Sequence, residues 1–396
     1  TPKSPVRVQL GTTPGDAKPD VVSAAVMPFL HLPSAVGSKN AGSVSFSLNS
    51  AANRGVRVGV EIICPTSERD RNFESFRIPL PGDATQAMVY PKRNRLRERL
   101  DRFRPHIVLI PTLGPYSFIG AQEAHRRKIP ICMGHHTDFE KLTKLYWHPF
   151  FASTGSRMLR SIHRMLLSYA TAIVAISEDS VRDARQLRGR RVYLVGTPLA
   201  NEFLENSDQT TVAGISRVLF VGRLAREKNV DTLLDAAKQL PRVQFQIVGD
   251  GPLRPHLQAA ANRVDNVHLT GWLSRSEVLD EVDRCDLLVL PSSIETFGTV
   301  ALEGVARYRP VLVSQHCGIH DWPDLAQGLF SQGAHETVAQ AITRIAKLSV
   351  KEKKAVVQRG WQAAHEWNDT TINGWMQILY GLVDSNLQLP KALNVN

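Results

Sequence analysis

The sequence predicts an α/β protein of two doubly wound domains, and three observations predict it. At 396 residues the chain is too long for one ordinary core. Short apolar runs alternate with amphipathic stretches along it, the pattern of parallel strands covered by helices. Two such series meet near Gly196 to Asp208. The totals agree with a globular class, 43% hydrophobic and 21% charged, with no low-complexity tract. No apolar run approaches the roughly 20 residues a bilayer span needs.

Taken in order, strands are expected in the first half at Val21–Leu30, Val56–Ile63, Ile107–Pro111, Ile131–His135, Ala172–Ile176 and Val192–Val195. The second half gives Val218–Val221, Val243–Val248, Val267–Leu269, Leu287–Leu290 and Val311–Val313. Helices are expected between them at Val230–Gln239, Leu253–Arg263, Ser276–Asp283 and Glu336–Leu348. In the first of these Val230, Leu233, Leu234 and Ala237 share one face, the spacing of a helix packed on a sheet. A terminal helix over Thr371 to Val383 carries Trp375, Met376, Leu379 and Tyr380 and needs a surface to dock on. The expected domains are 1–198 and 199–374, with 375–396 a helix crossing back to the first. Ligands of such sheets bind beyond the carboxyl ends of the strands, so two facing domains make a central cleft.

Charge is unevenly spread. Residues 1–200 hold 29 Lys and Arg against 15 Asp and Glu, net +14, whereas residues 201–396 hold 19 against 22, net −3. A basic half calls for an anionic partner. Cys64, Cys132, Cys285 and Cys317 lie far apart, which fits buried thiols in a reducing compartment better than disulfides or a metal site. The opening residues are polar, rich in Pro and Gly, and lack a signal-peptide core.

Three strand-to-loop motifs carry the chemistry. In the first, the run LLVL (Leu287–Leu290) empties into a loop holding Glu295, Phe297 and Gly298, and a helix starting near Thr299 carries Glu303. Glycine lets the backbone approach a ligand, and the helix start offers N–H groups to a phosphate. Carboxylates on either side accept hydrogen bonds from sugar hydroxyls. The bland alternative is a chance glutamate pair on a solvated helix. The second motif, VGRLAREKN (Val221–Asn229), places Arg223 and Lys228 in one turn, suited to neutralising a pyrophosphate; either residue alone reads as a surface cation. The third, VGDGPL (Val248–Leu253), includes Gly251 and is weak by itself, because such turns also arise from turn chemistry alone. No dinucleotide fingerprint and no Walker-type loop is found.

Together these motifs resemble the retaining GT-B glycosyltransferases of family 4 (glycosyltransferase group 1), whose fold is two Rossmann-like doubly wound domains facing a cleft. The resemblance is close over VLFVGRLAREKN, FQIVGDGPL, VHLTGWLS and DLLVLPSSIETFGTVALEGVA, about Arg217 to Val313. It implies that Arg223 and Lys228 bind the donor pyrophosphate, that Glu295 faces the sugar, and that Gly298 and Thr299 offer backbone N–H groups. It further implies that Glu303 takes the ribose hydroxyls and that the chain near Leu273 borders the base. In the first half GHHTDFEKL (Gly134–Leu142) is similar to the His-Thr-Asp-Phe motif of a subgroup that includes lipid mannosyl- and glucosyltransferases. His136 matches its histidine at the donor sugar and His135 does not; without the resemblance, a histidine at a strand end reads as a satisfied structural imidazole. Gly42 is the nearest match to the family's glycine-rich loop, with Gly37 second, and the paired glycines are absent. The turn after PVLVS is here QHCGIHDWPD in place of a glycine-rich one.

The resemblance implies a UDP- or GDP-sugar donor, retention of anomeric configuration and no metal, with which the absence of an Asp-x-Asp motif agrees. The basic half decides the acceptor. KRNRLRERLDRFRP (Lys92–Pro105), RRK (Arg126–Lys128) and the aromatic stretch with Tyr146, Trp147, Phe150 and Phe151 beside Arg157, Arg160 and Arg164 suit an anionic membrane surface. The alternative for Arg95, Arg99 and Arg102 is a solvated helix face paired with Glu98. The expectation is a cytoplasmic enzyme, peripheral on the inner face of the membrane, moving a hexose to a lipid such as a diacylglycerol-type glycolipid precursor. Its rivals are a soluble enzyme of the same fold, transferase or epimerase, acting on a free sugar or nucleotide sugar, and a non-catalytic polyanion binder. No nucleic-acid-binding motif supports the last.

Overall fold

The computed structural model describes residues 22–26, 43–47, 57–63, 73–80, 83–135, 141, 145–146, 149–187, 191–205, 207–209 and 213–383. The chain divides into two compact units. The first comprises 1–143, 147–196 and 369–396; the second comprises 144–146 and 197–368.

The first unit is built on β1 (Val22–Val26), β2 (Ser43–Ser47), β3 (Arg57–Ile62), the hairpin β4 (Glu74–Leu80) and β5 (Asp83–Pro91), β6 (Ile107–Ile110), β7 (Ile131–His135), β8 (Ala172–Ala175) and β9 (Val192–Leu194). Seven strands form one sheet in the order β2-β3-β1-β6-β7-β8-β9, parallel except for the β2–β3 pair, and the hairpin stands apart as a two-stranded ribbon. The inner strands read as unbroken apolar runs because helices cover both faces of a parallel sheet. Helices α1 (Arg93–Phe103), α2 (Pro115–Arg126), α3 (Pro149–Leu167) and α4 (Glu178–Leu187) accompany it. Their apolar faces join Val108, Ile110, Ile131, Met133 and Ile173 in one core.

The arginine-rich segment expected at a partner surface is in part an internal clamp. Glu123 of α2 has a side chain only 1% exposed, and four guanidiniums converge on it. Arg93 Nε donates at 2.5 Å, Arg127 Nη1 at 2.8 Å, Arg97 Nε at 2.9 Å and Arg126 Nη1 at 3.1 Å. Burial works to raise this carboxyl, but the hydrogen bonds from Arg97, Arg93 and Arg127 overcome it and hold it at about 2. Arg95 pairs with Glu98 at 2.8 Å on the exposed face, and Arg99 lies over the Phe73 ring at 5.3 Å.

The second unit holds β10 (Arg217–Val221), β11 (Gln244–Val248), β12 (Val267–Gly271), β13 (Leu287–Leu290), β14 (Val311–Val313) and the two-residue β15 (Phe330–Ser331). All pairs are parallel, in the order β12-β11-β10-β13-β14-β15. The first strand in sequence is therefore central, with the chain winding away on either side, and the switch point lies between β10 and β13. Helices α5 (Asp231–Gln239), α6 (Arg254–Ala261), α7 (Arg275–Arg284), α8 (Thr299–Ala306) and α9 (Val338–Lys347) pack around it. Two of them start where the sequence supplies a reciprocal cap: Ser274 with Glu277 before α7, and Thr337 with Gln340 before α9.

The last helix differs from expectation. α10 runs from Val350 to Val383, 34 residues, rather than starting near Thr371. Its residues through Asn368 belong to the second unit and those from Asp369 to the first. Asn368 Oδ1 accepts from the buried Leu199 N–H at 2.9 Å, and Trp375 Nε1 donates to Gly196 O at 2.9 Å. Ile378, Leu379 and Leu382 then pack with Ile107, Cys132, Val174 and Tyr193. Cys132, Cys285 and Cys317 are buried free thiols, which burial pushes up to about 12; Cys64 lies outside the described residues. No helix among the described residues is long and apolar enough to cross a membrane.

The Glu123 clamp has a measurable consequence. Glu123→Ala removes the counter-charge shared by four guanidiniums, which are partly solvated and of which Arg127 keeps Asp101, and should destabilise the protein by about 1.5–3 kcal/mol in urea unfolding. Because the folded carboxyl titrates below its ordinary value, its contribution is present above about pH 4.5 and fades as pH falls toward about 2. The variant should lose that part of the acid sensitivity.

Candidate functional site

The three motifs emerge at the carboxyl ends of β10, β11 and β13, all in the second unit. The β10 loop passes through a three-residue 3₁₀ turn, Arg226–Lys228, and ends at Asn229 in the left-handed region, φ 53°. This turn points Lys228 across the switch point, where its Nζ donates to Glu295 Oε2 at 2.5 Å. Ser292 Oγ, in a residue 1% exposed, donates to the same oxygen at 3.3 Å. Lys228 and Glu295 remain 21% and 15% exposed, sheltered yet open to a ligand. The backbone joins the loops too: Glu227 O accepts from Ser293 N at 2.8 Å, and Gly318 N donates to Glu295 O at 2.9 Å.

Arg223, five residues before Lys228, donates from Nη1 to Glu227 Oε1 at 3.0 Å. The other carboxylate oxygen of Glu227 accepts from the Tyr146 hydroxyl. Tyr146 is therefore bound into this network. It is not available for the membrane insertion that its sequence neighbourhood suggested.

Gly298 stands at the start of α8 with φ 95°, and a Cβ there would lie 2.6 Å from Cys317 Sγ. Only glycine combines that backbone with that approach. As a glycine, the N-cap Gly298 has no side chain to bond the first-turn N–H groups of α8. Gly251 permits a similar approach, since its Cβ would meet Leu224 O at 2.5 Å. Its evident task is to bind the β11 loop to the β10 loop, where Leu224 N also donates to Asp250 O at 3.0 Å. Phe297 turns inward, 3% exposed, stacked on Trp367 at 5.6 Å, with Trp322 edge-on to Trp367 at 4.2 Å. Its side chain anchors the loop from within.

Glu303, one turn into α8, is 12% exposed, with Arg275 Nη2 at 3.4 Å. Burial raises its carboxyl to about 7 against the pull of Arg275. Arg275 also lies over the Phe203 ring at 5.3 Å and 3.5 Å from Glu202. Leu273 follows β12 and is half-buried.

Arg223, Lys228, Glu295 and Gly298 thus stand on adjoining loops of one sheet, and Thr299 and Glu303 on the helix α8 that follows the second loop. His136 and Gly42 lie outside the described residues. His135, which ends β7, is 3% exposed and satisfied by Asp183 Oδ2 at 2.9 Å and a stacked His163, a structural imidazole. The sequence reading missed Glu227, although it sits between Arg223 and Lys228 in a quoted motif. It also missed Arg275 and the partnership of Tyr146 with Glu227, for which no local signal exists. Among the described residues no group of His, Cys, Asp and Glu is placed to hold a metal ion.

Comparison with known proteins matches the two halves to two family models in chain order: "Glycosyltransferase Family 4" over residues 48–199 and "Glycosyl transferases group 1" over residues 215–347. An α-D-kanosaminyltransferase of Streptomyces kanamyceticus is 31% identical over 44% of this chain and 50% of its own. A GDP-mannose-dependent α-mannosyltransferase of Mycobacterium tuberculosis is 27% identical over 67% of this chain and 72% of its own. The matches to the first three curated relatives span about half of those proteins' length. Among solved structures, Anabaena HepE in complex with UDP-glucose superposes with a TM-score of 0.57 at 18% identity, over 72% of this chain and 80% of its own. That likeness shows the fold, GT-B with two Rossmann-like domains. The chain belongs to the group 1, family 4 glycosyltransferases.

Proposed function

We propose that this protein transfers a hexose from a nucleotide-diphosphate sugar to a lipid acceptor with retention of configuration, working at an anionic membrane surface. The observation that carries the donor site is the Lys228–Glu295 contact at 2.5 Å, which brings the cationic loop of β10 onto the acidic loop of β13 at the switch point. Cleaving a sugar–phosphate bond builds negative charge on the departing diphosphate. Arg223, Lys228 and the α8 N–H groups are fixed in advance where that charge would develop. On this reading an arriving diphosphate takes Lys228 from Glu295, which frees the carboxylate to orient sugar hydroxyls. His136 is the further candidate at the sugar and Gly42 at the phosphate or acceptor. Glu303 holds the ribose, and the Leu273 segment borders the base. Relatives named for GDP-mannose and a neighbour bound to UDP-glucose support a nucleotide sugar and leave both bases open.

Exposed side chains on α3 support the membrane. Met158 and Met165 are 54% and 48% exposed, two turns apart on one helix face. Arg157 and Arg164 are exposed beside them. Large apolar side chains flanked by cations suit an anionic lipid interface.

The donor site is tested with a panel of UDP- and GDP-sugars: one should raise Tm, and Glu295→Gln should fold normally yet lose transfer by about two orders of magnitude or more. Near-normal turnover would remove Glu295 from the site. Glu303 sets a pH dependence. Burial raises its carboxyl to about 7, and the ionised form accepts from ribose hydroxyls more strongly than the acid, so nucleoside diphosphate binding should be about threefold tighter at about pH 8 than at about pH 6. Glu303→Gln should flatten that profile in calorimetry. Finally, replacing Met158 and Met165 together by Asp should cut sedimentation with anionic vesicles by about tenfold at low salt, and salt should weaken the parent protein's binding.

A further inference from the structure

On the reading that Glu303 takes the ribose hydroxyls of the donor, on which this inference rests, we propose that Arg275 is a positioning residue. It holds the Glu303 carboxylate in one pose and in the ionised form that accepts from hydroxyls. Arg275 is the first residue of α7, directly after the Ser274–Glu277 cap that fixes where the helix begins. Its guanidinium lies among three groups. Nη2 is 3.4 Å from Glu303 Oε1, Nε is 3.5 Å from Glu202 Oε2, and the Phe203 ring lies beneath at 5.3 Å. A ring under the plane and carboxylates at its edge fix how a guanidinium faces.

The surroundings are tied down as well. Glu202 and Phe203 belong to the single helical turn Asn201–Leu204, in which Phe203 is fully buried. Arg307, which follows α8, donates to Glu202 O at 3.3 Å and to Glu205 O. It also grips Asp283 of α7 through two bonds, at 2.8 and 2.7 Å. The turn, α7 and α8 thus form one frame around the Arg275–Glu303 contact.

That contact matters because the Glu303 side chain is only 12% exposed. A carboxyl so sheltered from water favours its neutral form, which spends one oxygen on a proton and accepts weakly. Two neighbouring ribose hydroxyls are better met by a carboxylate. Burial raises the carboxyl to about 7, and the pull of Arg275 keeps it from going higher. Among the described residues Arg275 is the one charge that shifts it. The strands under α8, LLVL and VLV, carry no charged side chain. Glu202 shares Arg275 but is exposed to water, Arg307 is committed to Asp283, and Glu295 on the preceding loop is engaged by Lys228.

The test is calorimetric binding of UDP and GDP from about pH 6 to about pH 9 by the parent protein, Glu303→Gln, Arg275→Gln and Arg275→Lys. Glu303→Gln removes the carboxyl's share of the profile and leaves the ligand's own titration as a baseline. Above that baseline the parent's rise in affinity should centre at about 7. Arg275→Gln should move the centre up by about one pH unit, so that binding is about twofold weaker at about pH 7 and parent-like at about pH 9. Arg275→Lys keeps the charge without the planar fork and should move it by about half as much. A merely structural role would lower Tm and weaken binding equally at every pH. That pattern, or a centre that does not move in whichever Arg275 variant folds, overturns the proposal. Should Glu303→Gln keep the parent's affinity and profile, the ribose reading itself fails and this inference with it.

Discussion

The hydrogen bonds that cross from the β10 loop to the β13 loop are the constraint on which the rest of the second unit's site depends. Neighbouring strands at the switch point send their chains to opposite sides of the sheet, so nothing in local sequence holds their exit loops together. Glu227 O to Ser293 and Lys228 to Glu295 supply that hold. The second contact joins a basic and an acidic side chain that are both largely sheltered, a pair that a ligand offering the cation an equivalent anion could replace. A site whose resting contacts mimic those of its ligand is organised before the ligand arrives, and little reorganisation is then required at the moment of reaction.

The same economy of charge governs the basic half. Its net +14 reads in sequence as a surface awaiting a partner. Packing diverts much of the α1 and α2 charge inward, because a carboxylate as deeply buried as Glu123 needs donors on both oxygens. Arg95, Arg102 and Arg126 stay exposed on and beside these helices, and on α3 exposed methionines make the surface amphipathic where it would otherwise be simply cationic.

Where the resemblance lapses, packing shows what replaced it. QHCGIHDWPD takes the place of a glycine-rich turn, and the structure uses it to build a wall: Cys317 Sγ donates to Phe297 O at 3.1 Å, and Trp322 packs edge-on to the Trp367 that stacks on Phe297. The loop bearing Glu295 is thus held by aromatic packing in addition to the backbone bond from Gly318.

Much of the fold was legible because buried parallel strands must be short and apolar. Ile131–His135, Leu287–Leu290 and Val311–Val313 stand where their runs indicated. The β4–β5 ribbon was not read, since its residues mix polar and apolar without a buried run, and α10 was cut short because its first half carries Lys, Glu and Gln with little apolar period. In the candidate site, the motifs located residues that the fold gathers at the carboxyl ends of β10 and β13 and on α8: Arg223, Lys228, Glu295, Gly298 and Glu303. The division of Glu227 between Arg223 and Tyr146, and the raising of Glu303 beside Arg275, required the tertiary structure. Motifs record what the chain does locally, but desolvation and pairing between distant segments are properties of the folded volume, and no local pattern encodes them.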